Sequence, residues 1–137
     1  MPVAKIHLLE GQYSKARFDK VSNAIQEALI AALDVPLDDF FQLVHVLPRD
    51  QFRHTPVSLG LIYSDDLILL EVTFISGRPK EKKLQLLKML NAGIVAAAGI
   101  SPDDLMITLY ETPGENISFG CGLAQRAHIL ELRPAPV

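Results

Sequence analysis

The chain repeats itself at a spacing of 65 residues. The stretch "DVPLDDFFQLVHVLP" (34–48) lies over "GISPDDLMITLYETP" (99–113) without a gap, aligning Asp38 with Asp103, Asp39 with Asp104, Phe40 with Leu105 and Pro48 with Pro113. A duplicated unit restricts the fold strongly, because neither copy buries its apolar face alone and the two must pack together. At the same spacing a helical segment 14–33, apolar at Phe18, Val21, Ile25, Leu29 and Ala32, falls over 79–98, apolar at Leu86, Leu90, Ile94 and Ala97. A strand at 3–9 falls over 68–74. Each half therefore reads strand, helix, strand, and roughly twenty helical residues supply the crossover that a parallel βαβ unit requires. The expected fold is α/β (α+β): a tandem β-α-β repeat forming one four-stranded sheet with both helices on one face. Between the halves, "PVSLGLIYSDD" reads as an extended piece ending in a turn at Ser64, Asp65 and Asp66. Beyond 113, "GENISFGCGLAQRAHILEL" predicts a short strand and then a short helix, with "RPAPV" as a frayed or partner-clasping tail.

A length of 137 residues fits a single domain, 1–137, built from units of about 2–62 and 63–137. Hydrophobic residues make up 49%, with mean hydropathy +0.23, which points to apolar surface covered by other subunits. The net charge of −3, with no long run of Lys or Arg, excludes the electrostatic footprint of a nucleic-acid or anionic-membrane binder. Small metabolites are the expected partners. The single cysteine, Cys121, makes no internal disulfide, no charged-then-apolar leader precedes the fold, and a cytoplasmic protein is expected. Interrupted apolar runs such as "LILLEVTFI" fall short of a membrane span. His7, His45, His54 and His128 are scattered without ligand spacing, so no metal is expected.

A pseudo-twofold axis relating the halves sets strands 3–9 and 68–75 side by side and antiparallel. The start of the first then lies beside the end of the second, which brings Pro2 towards "SGRPKEKK" and Arg78. Asp39, before a strand at 40–47, belongs to the same end. Pro2 has a plain reading, since a proline is tolerated at the first residue of a strand. It also has a chemical one: a small second residue favours removal of Met1, which leaves a secondary amine of near-neutral pKa. At the opposite end the repeat supplies Leu67 for Pro2, Asp104 for Asp39 and Tyr13 for Arg78, so only one end is armed. The Asp-Asp pair in both halves equally fits a turn or cap. Arg78, between Gly77 and Pro79, is expected near the N-cap of the second helix, where a cation opposes the macrodipole unless a carboxylate sits between them. The alternative is a solvated arginine among Lys80, Lys82 and Lys83. Cys121 in "SFGCG" reads as a structural thiol, "SGRPK" lacks phosphate-loop glycine spacing, and His45 reads as a packed or interface residue or a substrate contact.

The segments "MP", "VPLDDFFQLVH", "EVTFISGRPKEKK", "GISPDDLMITLYE" and "ENISFG" occur in the order and spacing of a known family. The chain resembles the tautomerase superfamily over residues 2 to about 128, and the malonate semialdehyde decarboxylase group more than the short 4-oxalocrotonate tautomerases. The resemblance implies a homotrimer with no cofactor, and a catalytic N-terminal proline, Pro2, at a subunit interface. It further implies catalytic roles for Asp39 and Arg78, Arg78 also holding substrate, and a hydrophobic wall at Ile117 and Phe119. Two positions depart from the pattern: Ser76 stands where some decarboxylases carry a second arginine, and Ile117 where a tryptophan is frequent. The function implied is decarboxylation of a 3-oxo acid such as malonate semialdehyde. Two alternatives stand beside it: a tautomerase or hydratase using Pro2 as base on 2-oxo acids, and a catalytically silent trimeric binding protein.

Overall fold

The computed structural model describes residues 1–127; His128 and the tail "RPAPV" lie outside the described residues. Strands β1 (Val3–Leu9), β2 (Gln42–Leu47), β5 (Ile68–Ile75) and β6 (Leu105–Thr112) form one sheet in the order β2-β1-β5-β6. β1 pairs parallel with β2 and β5 parallel with β6, while β1 and β5 run antiparallel at the centre. This is the expected pair of β-α-β units. The crossovers are α1 (Lys15–Leu33) and α2 (Lys80–Ala98).

The helix ends are written in the sequence. The Ser14 hydroxyl accepts the Arg17 N–H at 3.1 Å, satisfying one of the orphan donors of α1. Both helices stop at a left-handed residue, Asp34 (φ 56°) and Gly99 (φ 67°), which are repeat mates. Pro79 is the N-cap of α2, which sets Arg78 one position outside the cap, near it as expected.

Residues alternate across the central strands as a half-covered sheet requires. Ala4, Ile6, Leu8, Ile68, Leu70, Val72 and Phe74 face the helices and are buried against them. The helices approach closely through small residues; a β-carbon at Gly93 would lie 3.7 Å from that of Ala24. The opposite face carries Lys5, His7, Glu71, Leu43 and Met106, with Leu43 49% and Met106 44% exposed. A smaller cluster of Leu9, Phe52 and Leu67 closes the end of the sheet remote from Pro2.

Three expectations are corrected. The second strand begins at Gln42 and not at 40. The extended piece between the halves is a hairpin of β3 (Val57–Ser58) and β4 (Leu61–Ile62), turned by Leu59 and Gly60 at positive φ. The strand expected beyond 113 is absent among the described residues: a 3-10 turn, Gly114–Asn116, is followed by irregular backbone, and the helix begins at 125. Three glycines in "SFGCG" and its surroundings make a persistent strand unfavourable there. No described helix is long and apolar enough to cross a membrane.

Candidate active site

The antiparallel ladder begins at Val3 opposite Thr73, so the register carried one residue back sets Pro2 opposite Phe74. Pro2 is buried. Asp39 lies in the turn between α1 and β2, held by its own N–H on the Pro36 carbonyl at 3.1 Å and by the Gln26 side-chain amide on its carbonyl at 3.0 Å. The carboxylate so fixed is 16% exposed and accepts the ammonium of Met1 at 2.9 and 2.7 Å. It is therefore aimed at the amino end of the chain, with the charge assistance that makes such bonds strong.

Gly77, at φ 126°, turns the chain between β5 and α2 in a conformation that side chains rarely adopt. Arg78 follows, and its guanidinium lies 5.5 Å from the centre of the Phe74 ring. It donates to the carbonyls of Ile75 and Leu33, each at 3.3 Å, and these are not its only interactions. Leu33 is the last residue of α1, whose carbonyl has no partner within the helix. The cation thus sits at the negative end of α1, a stabilising arrangement that sequence reading of α2 alone could not reveal. Phe74 joins the two groups: Pro2 is its cross-strand neighbour, and Arg78 lies over its ring.

The other end of the sheet carries an arginine as well, which corrects the expectation that only one end is armed. Arg17, four residues beyond Tyr13, donates to Ala98 O at 2.8 Å and Gln12 O at 2.9 Å and lies 4.5 Å over the Tyr13 ring. Ala98 is the repeat mate of Leu33, so each helix has its last carbonyl held by an arginine from the start of the other. That end is nevertheless filled by protein groups. Asp104, 3% exposed, accepts the Ser64 N–H at 2.8 Å and hydroxyl at 2.6 Å, and Leu67 is fully buried in the place of Pro2. The Tyr13 hydroxyl donates to Asp66 O at 2.5 Å, and burial, reinforced by the Asp66 charge, holds that phenol well above the usual tyrosine pKa.

The end of β6 lies beside the end of β5, with the Ser76 N–H on Thr112 O at 2.9 Å. Ile117 and Phe119 follow β6 five and seven residues after its last residue, Thr112. Ile117 is half-buried, whereas Phe119 is 43% exposed, so a single chain does not close a dry wall with it. Cys121 is exposed at φ 59°, in a turn. Sequence reading missed a group on the open sheet face: His7 is bonded to Glu71 at 2.5 Å and to His45 at 3.1 Å. Residues 38 apart in sequence show no ligand spacing, and only the parallel register pairing His7 with His45 brings them together. A concavity of about 380 Å³ is lined by His7 and Glu71 together with Leu47, Phe52, Arg53, Leu69 and Met106 among others.

Residues 39–120 match the family described as "Tautomerase enzyme". The chain is 32% identical over 125 residues to "Probable tautomerase YusQ" of Bacillus subtilis (strain 168), covering 91% of this chain and 98% of that one. It is 31% identical over 125 residues to "Probable tautomerase YrdN" of the same organism, covering 91% and 95%. A solved malonate semialdehyde decarboxylase, described with decarboxylase and hydratase activities, superposes with TM-score 0.81 at 29% identity over 90% of this chain and 94% of that one. A fused 4-OT solved as a symmetric trimer shares the fold, with TM-score 0.74 at 20% identity over 92% and 98%. The duplicated β-α-β sheet and these matches together make the chain an enzyme of the tautomerase superfamily.

Proposed function

We propose that the chain, once Met1 has been removed, uses the Pro2 amine to decarboxylate a 3-oxo acid such as malonate semialdehyde. The observation that carries this reading is the Asp39 carboxylate, 2.7 Å from the Met1 ammonium and so one residue from Pro2, at the end of the sheet where Arg78 stands over Phe74. The structurally similar malonate semialdehyde decarboxylase was also solved with alanine in place of its first-position proline and in an inactivated form, which supports the same choice of group.

In this mechanism Arg78 holds the substrate carboxylate through its planar fork. Pro2 supplies the electron sink, either as an ammonium hydrogen-bonded to the aldehyde oxygen or as an iminium formed with loss of water. The bond between the carboxylate and its neighbouring carbon breaks, and its electron pair moves into the sink as carbon dioxide leaves. Protonation of that carbon and, on the iminium route, hydrolysis then release the aldehyde and restore Pro2. Asp39 orients the amine or activates water, and Ile117 and Phe119 exclude solvent once a neighbouring subunit covers them.

The proposed form is a homotrimer, supported by the exposed apolar side chains on and beside the sheet, including Leu43, Val44 and Met106; the proposed reaction needs no cofactor, and the proposed location is the cytoplasm. A second reading, ketonisation of a 2-oxo acid enol with neutral Pro2 as base, is favoured by the two relatives named as probable tautomerases.

Purified protein, checked by intact mass for loss of Met1, is assayed with malonate semialdehyde and with the enol of phenylpyruvate. Carbon dioxide release abolished by Pro2→Ala supports decarboxylation; ketonisation alone, with a Pro2 pKa near 6, moves the function to the second reading. Full activity in protein that retains Met1 overturns both, because an amide nitrogen has no basic pair. Arg78→Ala is expected to lower kcat/KM by about 30- to 1000-fold, equivalent to roughly 2–4 kcal/mol of charge-assisted binding. Arg17→Ala, at the filled end, is expected to lower stability and leave kcat/KM unchanged.

A further inference from the structure

Resting on the role proposed for Asp39, we propose that Gln26 of α1 is a positioning residue: it gives the Asp39 carbonyl the hydrogen bond that Pro2 cannot give, and so aims the Asp39 carboxylate at the amino end of the chain. The ladder between β1 and β2 has a gap at this point. Ala4 donates its N–H to the Phe41 carbonyl at 3.0 Å, and in a parallel pair the next donor towards the same neighbour lies two residues away. That place belongs to Pro2, and the acceptor there is the Asp39 carbonyl. A proline within the chain has no N–H, which also accounts for β2 beginning at Gln42 and not at 40.

The other half of the chain has the same rung intact. β1 and β5 pair Ala4 with Val72 and Ile6 with Leu70, so the twofold exchanges Ala4 with Leu70 and Pro2 with Ile68, although the sequence repeat matches Pro2 to Leu67. Ile68 donates to the Asp104 carbonyl at 2.9 Å. With that carbonyl served by the ladder, the helix amide at the matching place, Asn91, bonds instead to the Pro102 carbonyl at 3.0 Å. In the first half Gln26, repeat mate of Asn91 and one methylene longer, reaches the Asp39 carbonyl at 3.0 Å. Of the two ends, the one where proline precedes the strand is the one that uses a side-chain donor in place of a backbone one.

A carbonyl left without a donor costs free energy and leaves its peptide free to turn. Gln26 removes that freedom from one side, and the Asp39 N–H on the Pro36 carbonyl at 3.1 Å removes it from the other. One turn earlier on the same face of α1, Ser22 holds the Gln42 side chain twice, its hydroxyl donating at 2.6 Å and its carbonyl accepting at 3.0 Å. Residues 39–42 are therefore carried by the helix. The carboxylate that lies 2.7 Å from the Met1 ammonium takes its direction from this support, and Gln26 acts through it.

The test uses the full-length, assembled protein with Met1 removed and isotopically labelled proline, whose Pro2 nitrogen resonance reports the nearby carboxylate without any substrate. Gln26→Met, of similar length but without a donor, is expected to move that resonance in the same direction as Asp39→Asn. Its kcat with malonate semialdehyde should fall about ten- to a hundredfold, while KM stays within about twofold because Arg78 still binds the carboxylate. Asn91→Ala should lower the urea midpoint and leave resonance and kinetics unchanged, which separates aiming of a carboxylate from support of a turn. Gln26→Asn, too short to reach the carbonyl, supplies the same readings if Gln26→Met loses its fold by circular dichroism or its assembly by light scattering. A resonance moved by Asp39→Asn and by neither Gln26 variant overturns this proposal alone, and one that Asp39→Asn leaves in place overturns both this proposal and the role given to Asp39. A resonance moved by all three, in protein that releases no carbon dioxide, upholds the positioning and overturns the decarboxylation.

Discussion

Asp39 and Asp104 occupy the same place in the two repeats and bind the segment that enters a central strand. Asp104 holds the Ser64 amide and hydroxyl, whereas Asp39 holds the amino group of the chain itself. The residue type was legible in the sequence, and so was its double use; which donor each one met was not, because that depends on what precedes β1 and β5. Asp39→Asn is expected to impair turnover with little effect on the unfolding midpoint. Asp104→Asn is expected to cost about 1–3 kcal/mol by weakening bonds to buried donors and to leave kcat/KM intact; steady-state kinetics and urea unfolding on both variants check this, and equal kinetic losses would make both aspartates structural. Tyr13 adds a pH dependence. Its folded pKa is raised, so the unfolded chain loses the phenol proton first, and stability present below about pH 10 falls as pH rises beyond it. The alkaline slope of unfolding free energy should be shallower in Tyr13→Phe.

At the scale of elements, the repeat announced both helices and all four strands of the main sheet, because apolar spacing and a crossover length survive in a single sequence. The hairpin at 57–62 and the loss of a strand after 113 were hidden, since short segments with glycine and mixed apolar residues carry no period. The arginine exchange between the helices was hidden for another reason. Arg17 and Arg78 are not at matching positions of the repeat, although the carbonyls they hold are. Gly93 offers a direct test of helix packing. It lies within α2 without a positive φ, its repeat mate is Ala28, and a methyl group there meets Ala24 at ordinary contact distance. Gly93→Ala should therefore raise stability by about 0.5–1 kcal/mol, as interior glycines give way to alanine, measured as a higher urea midpoint. A lowered midpoint would show that the helices have no room to spare.

For the whole molecule, the exposed Leu43, Val44, Val46 and Met106 form more apolar surface on and beside one sheet than an isolated chain of this size normally shows to water. Light scattering is expected to give three times the mass of one chain, and Leu43→Lys, which adds a charge where copies would meet, to shift the population towards monomer and lower activity together. A stable, active monomer would remove the need for a covering subunit. The hold of Arg78 on the last carbonyl of α1 also ties the two halves of the chain in a way that bears on how such an enzyme can change. The guanidinium is anchored to a helix that begins more than sixty residues earlier. One residue inserted in α1 would displace that anchor by about 1.5 Å and turn it by roughly 100°. The length of the first helix thus acts as a gauge for where the arginine is held, and a longer or shorter first crossover would place the guanidinium elsewhere at that end of the sheet.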